Sequence, residues 1–207
     1  IGTTAAYDGN DLGTVSGIRT VNAVVDDLEN ITRETLGDES YTVDMDKLDT
    51  QVGVVRRQSV ESREEFTDNL SDELGMVEYA YALYIDGEPV AATTFPGALD
   101  ELLDQLKKGY ITANTVDSYF VENVEIKQEY VDASLVMNLG NIAEILNATK
   151  AGEVTYTVQA GDSYYYIAEL YGMSVDDLLD MNPGYDPKLL RVGDVLTISN
   201  AVPYLTI

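Results

Sequence analysis

The chain contains no cysteine and no histidine, and only 12 of its 207 residues are Lys or Arg. Without cysteine there is no disulfide framework, no thiol nucleophile and no thiolate zinc site. Without histidine no Ser-His or Cys-His pair and no His-ligated metal can be assembled from these residues. No cofactor and no metal site is therefore expected. The 12 bases face 37 acids, a formal charge of -25, which argues against nucleic acid as a partner because that needs a positive footprint. The acid is spread along the whole chain and reads as a solvated surface. Long apolar runs are also missing, so neither a membrane span nor a signal peptide is visible. Ile1-Gly2 looks like a cut end, and a membrane tether is expected only through a segment upstream of it.

What is present suits a folded protein: 45% apolar residues and 9% aromatics in 207 residues suggest one to three domains. Three segments share one plan. Asp11-Leu-Gly-Thr-Val leads into a helical run with Val21, Val24, Val25, Leu28, Ile31 and Leu36, stopped by Gly37. Gln51-Val-Gly-Val-Val leads into Val60, Phe66, Leu70 and Leu74, stopped by Gly75. Glu88-Pro-Val-Ala-Ala leads into Leu99, Leu102, Leu103 and Leu106, with Gly109 near the end. Only one helix fits each period, and the remainder is strand-like: Tyr41 to Met45, Tyr79 to Ile85, and Val90 to Phe95 after a hairpin turn at Asp86-Gly87.

A long strand at 119–131 follows, with Phe120, Val124 and Ile126 on one face. Leu139, Ile142, Ala143, Ile145 and Leu146 make a short helix, capped by Asn138 or stopping at Asn147. These elements predict an α+β region of hairpin-helix repeats, antiparallel sheets covered by helices. Its first part spans 1–76 and its second 77–149, and 150–153 is a linker.

Residues 156 to 198 have a different organisation. Tyr156 and Val158 open a strand and Gly161-Asp162 turns it. Ser163 caps a helix holding Ile167, Leu170 and Tyr171, which Gly172 stops. Ser174 with Asp177 starts a second helix through Leu178 and Leu179, a variant of the capping box. Asn182-Pro183 ends it, and Leu190-x-Val192-Gly193-Asp194 leads into a last strand with Leu196 and Ile198.

This βααβ order and these positions closely resemble the LysM module, over residues 154–199. The resemblance implies binding of N-acetylglucosamine glycans, peptidoglycan or chitin, in a shallow groove between two loops. Carried over by position, the ligand-binding residues are Gly161, Asp162, Ser163 and Tyr164 in the first loop. In the second they are Asn182, Pro183, Gly184, Leu189 and Leu190. The family usually has a Leu-aromatic pair after the Ser/Thr, where this chain has Tyr164-Tyr165-Tyr166. One ring should face the core and another ligand or solvent.

A second resemblance rests on Tyr81-x-Leu-Tyr-Ile-Asp-Gly-Glu88, Leu99-Asp-x-Leu-Leu-Asp-x-Leu-Lys107, and Phe120 through Lys127 with Tyr130-Val131, followed by LysM. It is similar to the non-catalytic front part of Gram-positive cell-wall endopeptidases that carry LysM and a lysostaphin-type zinc peptidase domain. Residues 200–207 then read as the start of the next module. The implied role is a non-enzymatic targeting region of a secreted or membrane-anchored wall hydrolase, located outside the cell at the wall. The alternative is a structural or protein-interaction module, spore-coat or adhesin-like, with a degenerate LysM.

Other acidic groupings have simpler explanations. Asp44-x-Asp46-x-x-Asp49 lacks the turn glycine and closing Glu of a calcium loop and reads as a solvated loop. Asp8, Asn10 and Asp11 around Gly9 are a turn. Among 37 acids, some carboxylate pair lies near any cleft by chance. Arg56-Arg57 and Lys107-Lys108 are end charges of local elements.

Overall fold

In a computed structural model covering residues 1–207, the first 15 residues fold back on themselves at Asp8-Gly9. Strands β1 (Gly2–Tyr7) and β2 (Asn10–Val15) are joined by this two-residue turn, with φ of 50° and 85°. Two positive values in a row give the turn whose twist matches paired strands. The same device recurs between β4 (Val77–Ile85) and β5 (Glu88–Thr93), where Asp86 and Gly87 have φ of 52° and 84°. Each hairpin slips register at the same distance beyond its turn, leaving Leu12 in one and Val90 in the other as the extra residue.

The repetition goes further. Helix α1 (Ile18–Leu36) follows the first hairpin and α3 (Ala98–Lys108) the second. Each is followed in turn by a strand, β3 (Leu48–Gly53) or β6 (Val124–Asp132), that pairs antiparallel with the free edge of its hairpin's first strand. The sheet orders are β2-β1-β3 and β5-β4-β6. The sequence therefore contains two copies of a ββαβ plan rather than three hairpin-helix repeats. The segment read as the second repeat has no hairpin of its own. It is the closing strand of the first copy followed by α2 (Arg63–Leu74), which stands between the copies.

The two copies do not form separate regions at 1–76 and 77–149. Residues 1–116 and 123–142 make one compact unit, and 117–122 with 143–207 make another. In the first unit, α1 touches β1 and β2 of one sheet and β4 and β6 of the other, while α2 touches β2 and β4. Val21, Val24, Val25 and Leu28 of α1 meet Phe66 and Leu70 of α2, with Leu12, Val15 and Val43 in the same core. Each such side chain contributes about 1.5–3 kcal/mol by leaving water. A separate buried patch on the second sheet is built of Ala80, Ala82, Ala92 and Val131.

Helix ends follow local chemistry. Ser62 and Glu65 form a reciprocal capping box on α2. Gly37 and Gly75 are left-handed, at φ 66° and 63°, and stop α1 and α2 as expected. Gly109 differs: it keeps a right-handed φ of -62°, and α3 runs out through a turn. Asn138 accepts from the Asn141 N–H at the start of α4 (Leu139–Asn147), the helix at which the chain passes to the second unit.

Three expected features are corrected. Tyr41 to Met45 is not a strand, because α1 side chains take its backbone groups: Arg33 donates to the Tyr41 carbonyl and Glu29 accepts from the Val43 N–H, both at 2.8 Å. The long strand begins at Val124 rather than 119, since Asp86 and Asn123 close the ladder by two mutual hydrogen bonds of 2.8 and 2.9 Å. Residues 117–122 belong instead to the second unit, where Val121 donates to Thr206 and Glu122 accepts from the Thr206 N–H. Finally, 150–153 is not a linker. It lies inside β7 (Thr149–Thr157), whose early residues pair with Ala201 to Pro203 of β8 (Val195–Pro203). Residues 200–203 are thus part of this sheet.

Gly13 is the most constrained glycine of the first hairpin. Its φ is 97°, its N–H donates to Asp11, and an added Cβ would run into the Glu61 carboxylate. Burial, then Glu65 and Asp11, hold that carboxylate above its ordinary pKa. Gly13→Ala is expected to cost about 1–3 kcal/mol in denaturant unfolding. Gly53→Ala, at an open position, should cost less than about 1 kcal/mol.

Candidate functional site

The second unit is a two-stranded sheet of β7 and β8 with helices α5 (Tyr164–Leu170) and α6 (Val175–Met181) packed on it. Val158, Tyr164, Ile167, Ala168, Leu178, Leu196 and Ile198 form its core. So small a core leaves much of the positioning to polar contacts.

The first loop is set by Asp162. Its carboxylate accepts from the Tyr156 hydroxyl at 2.8 Å and from the Gln159 N–H at 2.7 Å. Gly161 takes φ 94° in the turn between them. The hydrogen bond to Asp162 is the chief reason the Tyr156 phenol is pushed up to about 12, with desolvation and the Asp162 charge adding to it. Ser163 then caps α5 by accepting from the Tyr166 N–H at 3.2 Å. The amides of Gly161, Ser163 and Gly184 are not engaged by the chain's own hydrogen bonds. Ser174 and Asp177 complete the second capping box in both directions.

The second loop hangs between α6 and β8, and Asn182 is its hinge pin. Its amide nitrogen donates to the Leu178 carbonyl at 2.8 Å and the Thr197 carbonyl at 2.7 Å. Its amide oxygen accepts from the Thr197 N–H at 2.8 Å. The side chain is buried and fully engaged. Beyond it Pro183, Gly184 and Tyr185 are exposed, Leu189 is 64% exposed, and Leu190 packs against the core. The turn at Gly193-Asp194 is tied to the residue just after β7, Val158 donating to the Asp194 carbonyl and Gly193 donating to the Val158 carbonyl.

Tyr164 joins the two loops. It is 4% exposed, and its hydroxyl is buried without a hydrogen-bond partner. Burial first, then the charges of Tyr185, Asp194 and Asp186, raise its pKa, and its ring belongs to the core against which Leu190 of the second loop packs. Of the three consecutive tyrosines, this one faces the core, while Tyr165 and Tyr166 are 70% and 51% exposed. Tyr164, which follows the first loop of Gly161, Asp162 and Ser163, and Leu190, at the end of the second loop of Pro183, Gly184 and Leu189, thus pack into one core. Asn182 and Tyr164 stand behind this surface rather than on it. Tyr185 escaped sequence reading. Its signal was an aromatic directly after Pro183-Gly184, in a loop that otherwise looks like connection.

Residues 156–199 match the LysM domain family. This part of the chain is a LysM domain. Such domains are glycan-binding modules and not catalytic ones. A probable peptidoglycan endopeptidase, LytE of Bacillus subtilis, is 29% identical over 120 residues, 54% of this chain and 36% of the relative. The secreted LysM effector ELP2 of Colletotrichum higginsianum is 34% identical over 47 residues, 23% of this chain and 27% of the relative. The N-acetylmuramoyl-L-alanine amidase XlyA of Bacillus subtilis is 44% identical over 48 residues, 23% and 16% respectively. Among solved structures, the LysM domain from a Volvox carteri chitinase is 40% identical, covering 23% of this chain and 96% of that one, with a TM-score of 0.22. The chain spans at most 36% of the length of these curated relatives.

The role of Asn182 in the LysM domain is measurable. Asn182→Ala strands a buried N–H and two carbonyls and is expected to destabilise the domain by about 2–4 kcal/mol, read by chemical denaturation. Asp162→Asn should bring the Tyr156 titration down from about 12 toward the ordinary tyrosine value of 10.0, read by ring absorbance. Because the folded phenol titrates higher, this interaction is fully present below the ordinary value and fades as pH rises through the folded one.

Proposed function

We propose that this chain is a cell-wall docking region of a larger extracellular hydrolase, in which the LysM domain holds peptidoglycan or a related N-acetylglucosamine glycan. The observation that carries this reading is the adjacency of two exposed loops in a LysM domain, with free backbone amides on both sides of the groove. Unengaged N–H groups at Gly161, Ser163 and Gly184 suit the acetamido carbonyl of the sugar. The exposed Leu189, the neighbouring Leu190 and the Tyr185 ring suit its apolar face. Asn182 and Tyr164 act from beneath, the first by fixing where the loop leaves α6 and the second as the floor between the loops.

The ligand is neutral at the groove, which matches a chain with so few bases. Catalysis is assigned to other parts of the parent protein, because 207 residues without His or Cys offer no zinc-peptidase ligand set. A single shallow groove binds weakly, and firm retention at the wall comes from additional modules or copies acting together. The extracellular location follows from the ligand and accords with the wall-associated names of two relatives.

Sedimentation with insoluble peptidoglycan and with chitin tests the proposal. The chain should sediment with both, and retention should survive high salt because no ion pairs hold the ligand. Leu189→Glu, a change at an exposed position, should reduce retention severalfold while the chain stays folded. Absence of sedimentation at any salt, or retention unaffected by Leu189→Glu, contradicts the proposed groove.

A further inference from the structure

The LysM domain has a second cluster of rings that the groove does not use. Helix α5 turns Tyr164, Ile167 and Ala168 inward, which leaves Tyr166 and, one turn later, Leu170 facing out at 51% and 52% exposure. Tyr171 follows at 43%, its ring edge-on to Tyr156 with centroids 5.7 Å apart and planes at 66°. Tyr156 comes from β7, and its hydroxyl is held by the Asp162 carboxylate at 2.8 Å. Tyr166 and Leu170, four residues apart on α5 and both exposed, stand on one helix face, and the chain turns from Leu170 directly into Tyr171.

Two exposed rings, one exposed aliphatic side chain and the half-buried Tyr156, which packs against the core beneath them, therefore share a surface with one carboxylate. Exposed aromatics gathered in this way mark contact sites more often than scattered single residues do. The chemistry of the surface narrows the occupant. Neither α5 nor Asp162 supplies a base, and the helix's one charge is Glu169, so an anionic partner is disfavoured. Flat ring faces beside phenol and carboxylate oxygens match a neutral sugar, which presents C–H groups on one face and hydroxyls at its edge. The edge-on pair and the Tyr156 to Asp162 bond hold this arrangement before any ligand arrives, which lowers the ordering cost of binding. Asp162 also belongs to the first loop, so the ring surface continues directly from the groove.

We propose that Tyr156, Tyr166, Leu170 and Tyr171 form a second contact surface for the same N-acetylglucosamine glycan, taking sugar units beyond those seated between the loops. This inference rests on the groove reading above. It makes the domain a reader of chain length, since only a longer glycan reaches both surfaces.

The test compares a short chito-oligosaccharide, the trimer, with a long one, the octamer, by titration calorimetry on the full chain. The unmodified chain should bind the octamer more tightly than the trimer. Tyr166→Ala should lose about three- to tenfold in octamer affinity, the worth of one aromatic contact, and leave the trimer unchanged. Tyr166→Phe should retain most of the octamer affinity, and ring resonances of Tyr166 and Tyr171 should shift with the octamer only. Equal affinity for both oligomers, an unchanged octamer affinity in Tyr166→Ala, or an equal loss on both ligands overturns the second surface while leaving the groove in place. If the unmodified chain binds neither oligomer, the groove reading itself has failed and this inference fails with it.

Discussion

The Asn182 carboxamide connects the end of α6 to the middle of β8 by three hydrogen bonds of 2.7 to 2.8 Å. Buried where water cannot substitute, these bonds fix the point at which the 183–190 loop departs and the point at which the strand resumes. Asp162 does the corresponding work on the other side, by gripping Tyr156 and the Gln159 amide. With both anchors set, the exposed parts of the two loops can be small and flexible in composition and still face one another. In the groove we propose, recognition falls to backbone amides and a few apolar side chains, which need good placement more than particular chemistry.

The LysM domain was largely legible in the sequence because its signals are local. Ser163, Ser174 with Asp177, Gly161 and Gly193 each specify a cap or turn by their own chemistry, and the structure uses them so. The division of labour inside the site was less legible. Asn182 is identified equally well by a ligand role and by a structural one, and only its burial between Leu178 and Thr197 separates them. The consecutive tyrosines could not be sorted by spacing alone, since one helical turn has to distribute three rings between core, loop and solvent. The rings of Tyr156 and Tyr171 meet across 15 residues of sequence, a contact no local pattern announces.

In the first unit the hairpin turns were visible, but the duplication was misread as three units. The cause is physical. The helices α1 and α2 each present one apolar face and each end on a left-handed glycine, yet α1 belongs to a ββαβ copy and α2 does not. What distinguishes them is strand pairing at long range, β3 to β1 and β6 to β4, which leaves little trace in local pattern. Tyr41 to Met45 shows the converse error: its composition favours a strand, but Arg33 and Glu29 occupy the backbone groups that a ladder would need. A few acids organise the units through hydrogen bonds, Glu29 and Asp86 in the first and Asp162 in the second, and the rest of the acid lies at the surface. Ion pairs such as Arg63 with Asp27 and Lys127 with Glu125 are exposed and contribute little, whereas the half-buried Arg33–Glu29 pair is the one tied into the fold, through the backbone of Tyr41 and Val43.

Backbone amide chemical-shift mapping of the full chain, during titration with the short N-acetylglucosamine trimer, tests the central claim most directly. The account predicts saturable shifts concentrated at residues 161–164 and 183–190, with little change in the hairpins at Asp8-Gly9 and Asp86-Gly87. Saturable shifts centred on those hairpins, or none anywhere in the chain at millimolar ligand, would contradict it.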